Sequence, residues 1–233
     1  MEIRILQLIE GARAAEGLTV VIDVFRAFSL EAYLFDSGVL HIYPIGKVET
    51  AYRMREEHPE LLLAGERGGK ILPDFDFGNA PSSLGGRALA GRTVIHTTSA
   101  GTQGVANAQG ADEILVASLV NARATADYIR ESGAEIVSLV CMGLEGRAET
   151  EEDTLCARYI KACLEGTAEE MDWPQELAHL RETSGSKFFD PTQADVFPRA
   201  DFDLCTRVDA FDFVMCVRRD APTPYVEKIE RGR

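Results

Sequence analysis

Positive charge is scarce in this chain. Its 24 lysines and arginines stand against 38 aspartates and glutamates, a formal net charge of −14, which repels nucleic acids and anionic membrane surfaces. An anionic small molecule remains acceptable only where a pocket reverses the local field with Arg, Lys, backbone N–H groups or a divalent cation. Cysteine is sparse as well. Cys141, Cys156, Cys163, Cys205 and Cys216 are odd in number and contain no C-x-x-C pair, which argues against a disulfide framework and a zinc knuckle. Cys156 and Cys163 lie seven apart on one expected helix face and read as buried thiols. No apolar run approaches the ~20 residues of a membrane span, and the opening Met-Glu-Ile-Arg-Ile-Leu has no basic region followed by an apolar core. A cytosolic protein is expected, with no nucleic-acid or membrane partner. His41, His58, His96 and His179 lack metal-ligand spacing, and His96, ending an apolar run, reads as a satisfied core histidine. No repeat, low-complexity tract or linker interrupts the 233 residues, so a single domain over 1–233 is expected.

What is present is an alternation of short apolar runs and helical patterns. Strands are expected over residues 3–9, 20–24, 39–45, 61–64, 93–98, 113–118 and 135–141, with helices over 29–36, 47–57, 100–109, 121–132 and 149–165. A helix over 174–183, a short element over 202–208 and a final apolar strand near 213–217, antiparallel at an edge, complete the reading. Short connections between alternating elements predict a three-layer α/β/α fold with a largely parallel, mixed central sheet. Ligands of such folds sit beyond the carboxyl ends of the strands.

The run Val20-Val-Ile-Asp-Val-Phe-Arg26 organises the rest. Asp23 in a buried strand demands a cation, either a metal ion or an arginine such as Arg26, and a purely structural ion pair explains it equally well. Further charged or glycine-rich breaks follow other strands: Glu66-Arg67-Gly68-Gly69, Thr97-Thr98-Ser99-Ala100-Gly101-Thr102, and Gly143 to Asp153. In a parallel sheet they open on one edge. The Thr-rich loop supplies hydroxyls and helix N-terminal N–H groups suited to a phosphate or sulfonate, although a helix cap alone accounts for it. Arg67 could hold two phosphoryl oxygens at once, or form a solvated loop ion pair. The acidic run 149–153 suits a helix N-terminus without further function. Asp23, Glu66 and Asp153 together would nevertheless make a hard-oxygen site of the kind Mg²⁺ uses.

Val-Ile-Asp-Val-Phe-Arg-Ala, Ala-Gly-Glu-Arg-Gly-Gly, Phe-Gly-Asn-Ala-Pro, Thr-Thr-Ser-Ala-Gly-Thr and Glu-Gly-Arg with Glu-Glu-Asp-Thr-Leu-Cys-Ala, in this order, resemble the 2-phosphosulfolactate phosphatase (ComB) family from about Val20 to Ala157. The resemblance implies a ComB-like α/β domain and a Mg²⁺-dependent hydrolase of 2-hydroxycarboxylic acid phosphates on a route towards coenzyme M. Its partner would be a small anionic phosphorylated substrate, and a homodimer is compatible with it. By motif, the resemblance implies Asp23, Arg26, Glu66 and Arg67 as catalytic. It likewise implies Asn79, Thr98, Gly101 and Arg147 as substrate-binding and Asp153 as part of the site; the loops' own residues add Gly68, Gly69, Thr97, Ser99 and Thr102 to substrate binding, and Asp23, Glu66 and Asp153 are the expected metal ligands. Phe28-Ser29 stands where the family has a Thr pair, and Ala100 where it has Asn, so the sulfonate is not assumed. A metal-bound water and an aspartyl phosphate on Asp23 both remain open as nucleophile. Two rivals remain, a non-catalytic binding protein for a phosphorylated metabolite and another enzyme, such as a lyase or synthase, acting on a phosphorylated acid.

Overall fold

Strands that are apolar at every position, not only at alternate ones, need a helix layer on each face. Strand β2 (Gly17–Ile22) is the clearest case. Val20, Val21 and Ile22 are all fully buried, with Val21 in one hydrophobic cluster and Val20 and Ile22 in another across the sheet. The computed structural model describes residues 1–231. Its other strands are β1 (Glu2–Gln7), β3 (His41–Pro44), β4 (Leu62–Arg67), β5 (Lys70–Ile71), β6 (Thr93–Thr97), β7 (Ala111–Ala117), β8 (Ile136–Cys141), β9 (Phe213–Arg218) and β10 (Tyr225–Glu230). The ten form one sheet in the order β1-β8-β2-β7-β9-β10-β3-β6-β4-β5. The pairs β1–β8, β8–β2, β2–β7, β3–β6 and β6–β4 are parallel, whereas β7–β9, β9–β10, β10–β3 and β4–β5 are antiparallel. This is the expected three-layer α/β/α architecture with a mixed, largely parallel sheet.

The helices are α1 (Leu8–Arg13), α2 (Ala27–Asp36), α3 (Val48–Glu57), α4 (Gly101–Asn107), α5 (Ala122–Ser132), α6 (Glu151–Glu165), α7 (Trp173–Glu182) and α8 (Arg199–Cys205). Helices α5 and α6 stop where Gly133 and Gly166 take left-handed φ of 71° and 79°, the usual glycine C-cap. Helix α7 begins where the Asp172 carboxylate accepts the Gln175 N–H and a proline occupies the first turn. No described helix is long and apolar enough to cross a membrane.

Three departures from the sequence reading have local causes. The first strand ends at Gln7, and the small-residue stretch after it is α1. There Gly11 packs so closely on β1 that an added Cβ would lie 3.0 Å from the Leu6 backbone. The break after β4 is a tight hairpin, because the strand continues through Glu66 and Arg67 before β5 returns. Strand β9 is antiparallel as expected but sits inside the sheet rather than at its edge, since β10 pairs with it and reaches on to β3. Strand β10 mixes apolar and charged residues without a strict alternation, and of these only Val226 is fully buried.

Candidate active site

Strand β2 ends at Ile22, so Asp23 lies just past its carboxyl end rather than within it. Its Oδ1 accepts the Ala27 N–H at 3.1 Å. Its Oδ2 lies where any side chain at position 101 would intrude, because an added Cβ there would stand 2.9 Å from that oxygen and 2.9 Å from Ala27. Burial, followed by the nearby charges of Glu66 and Glu152, pushes the Asp23 carboxyl up to about 6 against the Ala27 and Gly101 amides. Arg26 does not neutralise it. The guanidinium is buried and turned to Asp201 at 2.7 Å, to Val196 O at 2.9 Å and to Gly69 O at 3.3 Å, with its carbon 4.9 Å from the Phe197 ring centre. The arginine partner expected for Asp23 therefore belongs to Asp201.

Glu66 ties two loops together. Its Oε1 accepts the Ser99 N–H and its Oε2 the Gly69 N–H, both at 2.7 Å. Gly69 is required there. Its φ is 79°, and an added Cβ would lie 2.6 Å from the Phe197 ring. Asn79 is held from behind by a buried relay: its Oδ1 meets His96 Nε2 at 3.3 Å, and His96 Nδ1 meets Glu31 Oε1 at 2.7 Å. With Oδ1 committed, the amide NH₂ of Asn79 is left to the cavity that Asn79 lines.

That cavity, of about 380 Å³, lies between the ends of β2, β4, β6 and β8. Its far wall is of different character. Among the described residues seven buried side-chain oxygens or nitrogens lack a hydrogen bond of good geometry, and three of them, Thr150 Oγ1, Glu152 Oε2 and Ser184 Oγ, belong to residues that line this cavity and lie close to one another, the two hydroxyls beside the Glu152 carboxylate. Burial pushes the Glu152 carboxyl up, while the nearby Ser184 hydroxyl and Lys187 ammonium oppose that shift. These three groups make a compact polar cluster at the cavity's edge, with bonding capacity that their mutual contacts do not use up.

Of the residues expected from sequence, Asp23, Arg26, Glu66, Gly68, Gly69, Asn79 and Ser99 line the cavity. Arg67, Thr97, Thr98, Gly101, Thr102, Arg147 and Asp153 do not. Arg67 donates to Glu66 O, to Gly46 O at 3.2 Å and to Thr97 Oγ1 at 3.0 Å, clamping strand ends together behind the site. Thr98 and Thr102 cap each other, the Thr98 N–H reaching Thr102 Oγ1 at 3.0 Å and the Thr102 N–H reaching Thr98 Oγ1 at 3.1 Å. Gly101 makes room for Asp23. Arg147 is exposed on a turn whose N–H bonds Leu144 O. Asp153 accepts the Val24 N–H at 2.8 Å and the Gly143 N–H at 2.7 Å, stapling the β2 and β8 loops with both oxygens. The expected trio of Asp23, Glu66 and Asp153 thus does not converge on one space.

Glu152, Thr150, Ser184, Lys187, Phe25 and Phe197 line the cavity without having been singled out. Glu152 lay inside a run explained by helix capping, and Lys187 in a turn-rich segment without a motif. Among the described residues no three His, Cys, Asp or Glu side chains stand close enough to cage a metal unaided. Asp23, Glu66 and Glu152 are hard-oxygen donors around one cavity, but the three together are not close enough to share one ion, so a divalent cation there would take at most two of them and complete its shell with water and phosphate oxygens.

Fold and site together define an α/β protein with an acidic ligand cavity beyond the carboxyl ends of a mixed sheet. The 2-phosphosulpholactate phosphatase family model matches residues 3–220, and the chain belongs to that family. It is similar to a probable 2-phosphosulfolactate phosphatase of Bacillus subtilis, 29% identical over 98% of this chain and 99% of that one. The probable 2-phosphosulfolactate phosphatase of Deinococcus radiodurans is 40% identical over 56% of this chain and 55% of its own. That of Caldanaerobacter subterraneus is 30% identical over 85% and 87% respectively.

Proposed function

We propose that this cavity is the active site of a phosphatase that hydrolyses the phosphate monoester of a 2-hydroxycarboxylic acid, 2-phosphosulfolactate or a close analogue, with Mg²⁺. The observation that carries the reading is Asp23, a buried carboxyl held near a pKa of 6 at the edge of a cavity with unpartnered polar groups opposite. Family membership supplies the reaction class. Glu66 and Glu152 would hold the ion, which when bound offsets phosphoryl charge and favours deprotonation of water, and would leave the Asp23 carboxyl free of it.

The chain's own groups supply the remainder. Asp23, with a pKa close to neutrality, takes the proton of the water whose oxygen forms the new bond to phosphorus as the ester P–O bond breaks, and the departing alkoxide takes a proton from solvent to leave as the hydroxy acid. Glu66 positions both the Gly69 and Ser99 loops through its two backbone bonds. Asn79, braced by His96 and Glu31, offers its NH₂ to a phosphoryl or leaving-group oxygen. The Thr150 and Ser184 hydroxyls are further donors. All five thiols are free and buried, which supports a cytosolic setting.

The test is phosphate release from a panel of 2-phospho-hydroxy acids with and without Mg²⁺. Release that depends on the cation is expected. Tight binding of these compounds without any release would replace the enzyme by a non-catalytic binding protein.

A further inference from the structure

Among the described residues two cationic side chains line the cavity, Arg26 and Lys187. Arg26 is already used: it is buried and bonded at 2.7 Å to Asp201, which is itself fully buried. Lys187 differs. The lysine ion pairs of the described residues involve Lys161 and Lys228, and Lys187 has none within 4.0 Å of a carboxylate. Its Nζ instead lies 5.3 Å from the ring centre of Phe197, 5.5 Å from that of Phe188 and 5.7 Å from that of Phe25. Aromatic faces attract an ammonium without neutralising it, and the Glu152 carboxylate attracts it only from beyond ion-pair distance, so the ammonium keeps its hydrogen-bond donors for a ligand.

The shelf is fixed in place. Lys187 belongs to the short turn Ser186–Phe189, whose Phe188 is buried against Phe25, with centroids 5.0 Å apart. Gly185 before it is seated so tightly that an added Cβ would lie 2.5 Å from the Phe202 ring and 2.7 Å from Leu180 O. The segment therefore cannot swing to bring Lys187 to a surface partner without unpacking this aromatic group. The rest of the cavity is dominated by the carboxylates of Asp23, Glu66, Glu145 and Glu152, which repel a second anionic group unless a cation receives it.

Resting on the phosphatase reading above, we propose that Lys187 binds the second acidic group of the phosphorylated acid, its carboxylate or sulfonate, and so sets the preference for phospho-acids over simple phosphate monoesters. Lys187 would be a specificity-determining residue contributed by the segment after α7. Three substrates separate the possibilities: 2-phosphosulfolactate, 2-phospholactate, which lacks the sulfonate, and isopropyl phosphate, which has neither acid group.

In Lys187→Met, kcat/KM should fall on a phospho-acid by tenfold or more beyond any fall on isopropyl phosphate, with most of the change in KM. A selective fall on both acids assigns the contact to the carboxylate, and one confined to 2-phosphosulfolactate assigns it to the sulfonate. Lys187→Arg should recover most of the loss, because a charge rather than a fork geometry is required. Equal falls on all three substrates, or none on any, overturn the assignment. If the wild type releases phosphate from none of them, the phosphatase reading fails, and calorimetric titration with 2-phosphosulfolactate still decides Lys187. Tenfold weaker binding by a variant that retains the wild-type thermal midpoint supports it, and equal binding overturns it.

Discussion

The two walls of the cavity are built from similar residues and treated oppositely. At the end of β4, behind it and past β2, three charges are answered. Glu66 receives two backbone N–H groups, Arg67 donates to three oxygens, and Arg26 is closed against Asp201. On the wall formed by the start of α6 and the segment after α7, Thr150, Glu152 and Ser184 keep unpartnered oxygens and Lys187 keeps its charge. A residue of catalytic type is therefore no guide to its use. Groups with no bonding capacity to spare hold the scaffold, and those that keep some are left for a ligand.

The contrast can be broken most directly at Asp201. Asp201→Ala leaves the buried Arg26 guanidinium without its carboxylate and should cost about 3–5 kcal/mol in urea unfolding; a loss below about 1 kcal/mol would show that this wall is not scaffold. Asp23→Asn should cut phosphate release by roughly a hundredfold to a thousandfold, equivalent to about 3–4 kcal/mol of transition-state stabilisation, while the protein stays folded. Near wild-type turnover would make Asp23 a structural carboxylate.

The same residue gives a pH signature. Because the folded-state pKa of Asp23 is raised to about 6 from an ordinary 3.8, the folded protein binds the proton more tightly than the unfolded chain. Stability should therefore fall as pH rises from about 4 to 6, by up to ~3 kcal/mol, and stay reduced above that. In metal-free buffer this slope should be present in the wild type and smaller in Asp23→Asn; identical pH profiles would remove the buried charge from the account.

Glu152→Gln sharpens the contrast from the other side. Replacing a buried carboxylate that has an unpartnered oxygen should leave stability unchanged or higher by up to ~1 kcal/mol, yet lower turnover about tenfold or more. A destabilised variant would place Glu152 with the scaffold. The smallest effect is expected for Arg67→Lys, which loses the bonds to Gly46 O and Thr97 Oγ1. About 1 kcal/mol of stability should go, with kcat within about twofold. A tenfold fall in kcat at unchanged stability would return Arg67 to the site.

Much of this was legible in the sequence because it rests on period and punctuation. The β2–Asp23–α2 junction, the Gly-closed helices and the gathering of loops at the strand ends all follow from apolar runs and glycines. What was not legible is direction. Arg26 and Asp153 sit in the motif positions that name the family, yet Arg26 turns to Asp201, 175 residues along the chain, and Asp153 caps Val24, 129 residues away. Long-range partners of that kind leave no local pattern. Lys187 was missed for the opposite reason, since its significance comes from three phenylalanines drawn from separate segments. Strand β10 was missed because one buried valine among charged residues is too weak a signal to claim a strand inside a sheet.

The position of the β9–β10 hairpin carries a consequence for the order of events during synthesis. It separates the parallel set β1-β8-β2-β7 from the parallel set β3-β6-β4 and is their only link within the sheet among the described residues. Asp23 and Glu152 follow strands of the first set, whereas Glu66 lies near the end of β4 and Ser99 follows β6 in the second. A nascent chain leaving the ribosome amino end first can pair each set within itself but cannot join them until residues 213–230 emerge. Long-range pairing of this kind is slow to form. The two halves of the cavity are thus made early and brought into register late, and a nascent chain stalled before β9 would hold both halves of the site without a completed sheet to align them.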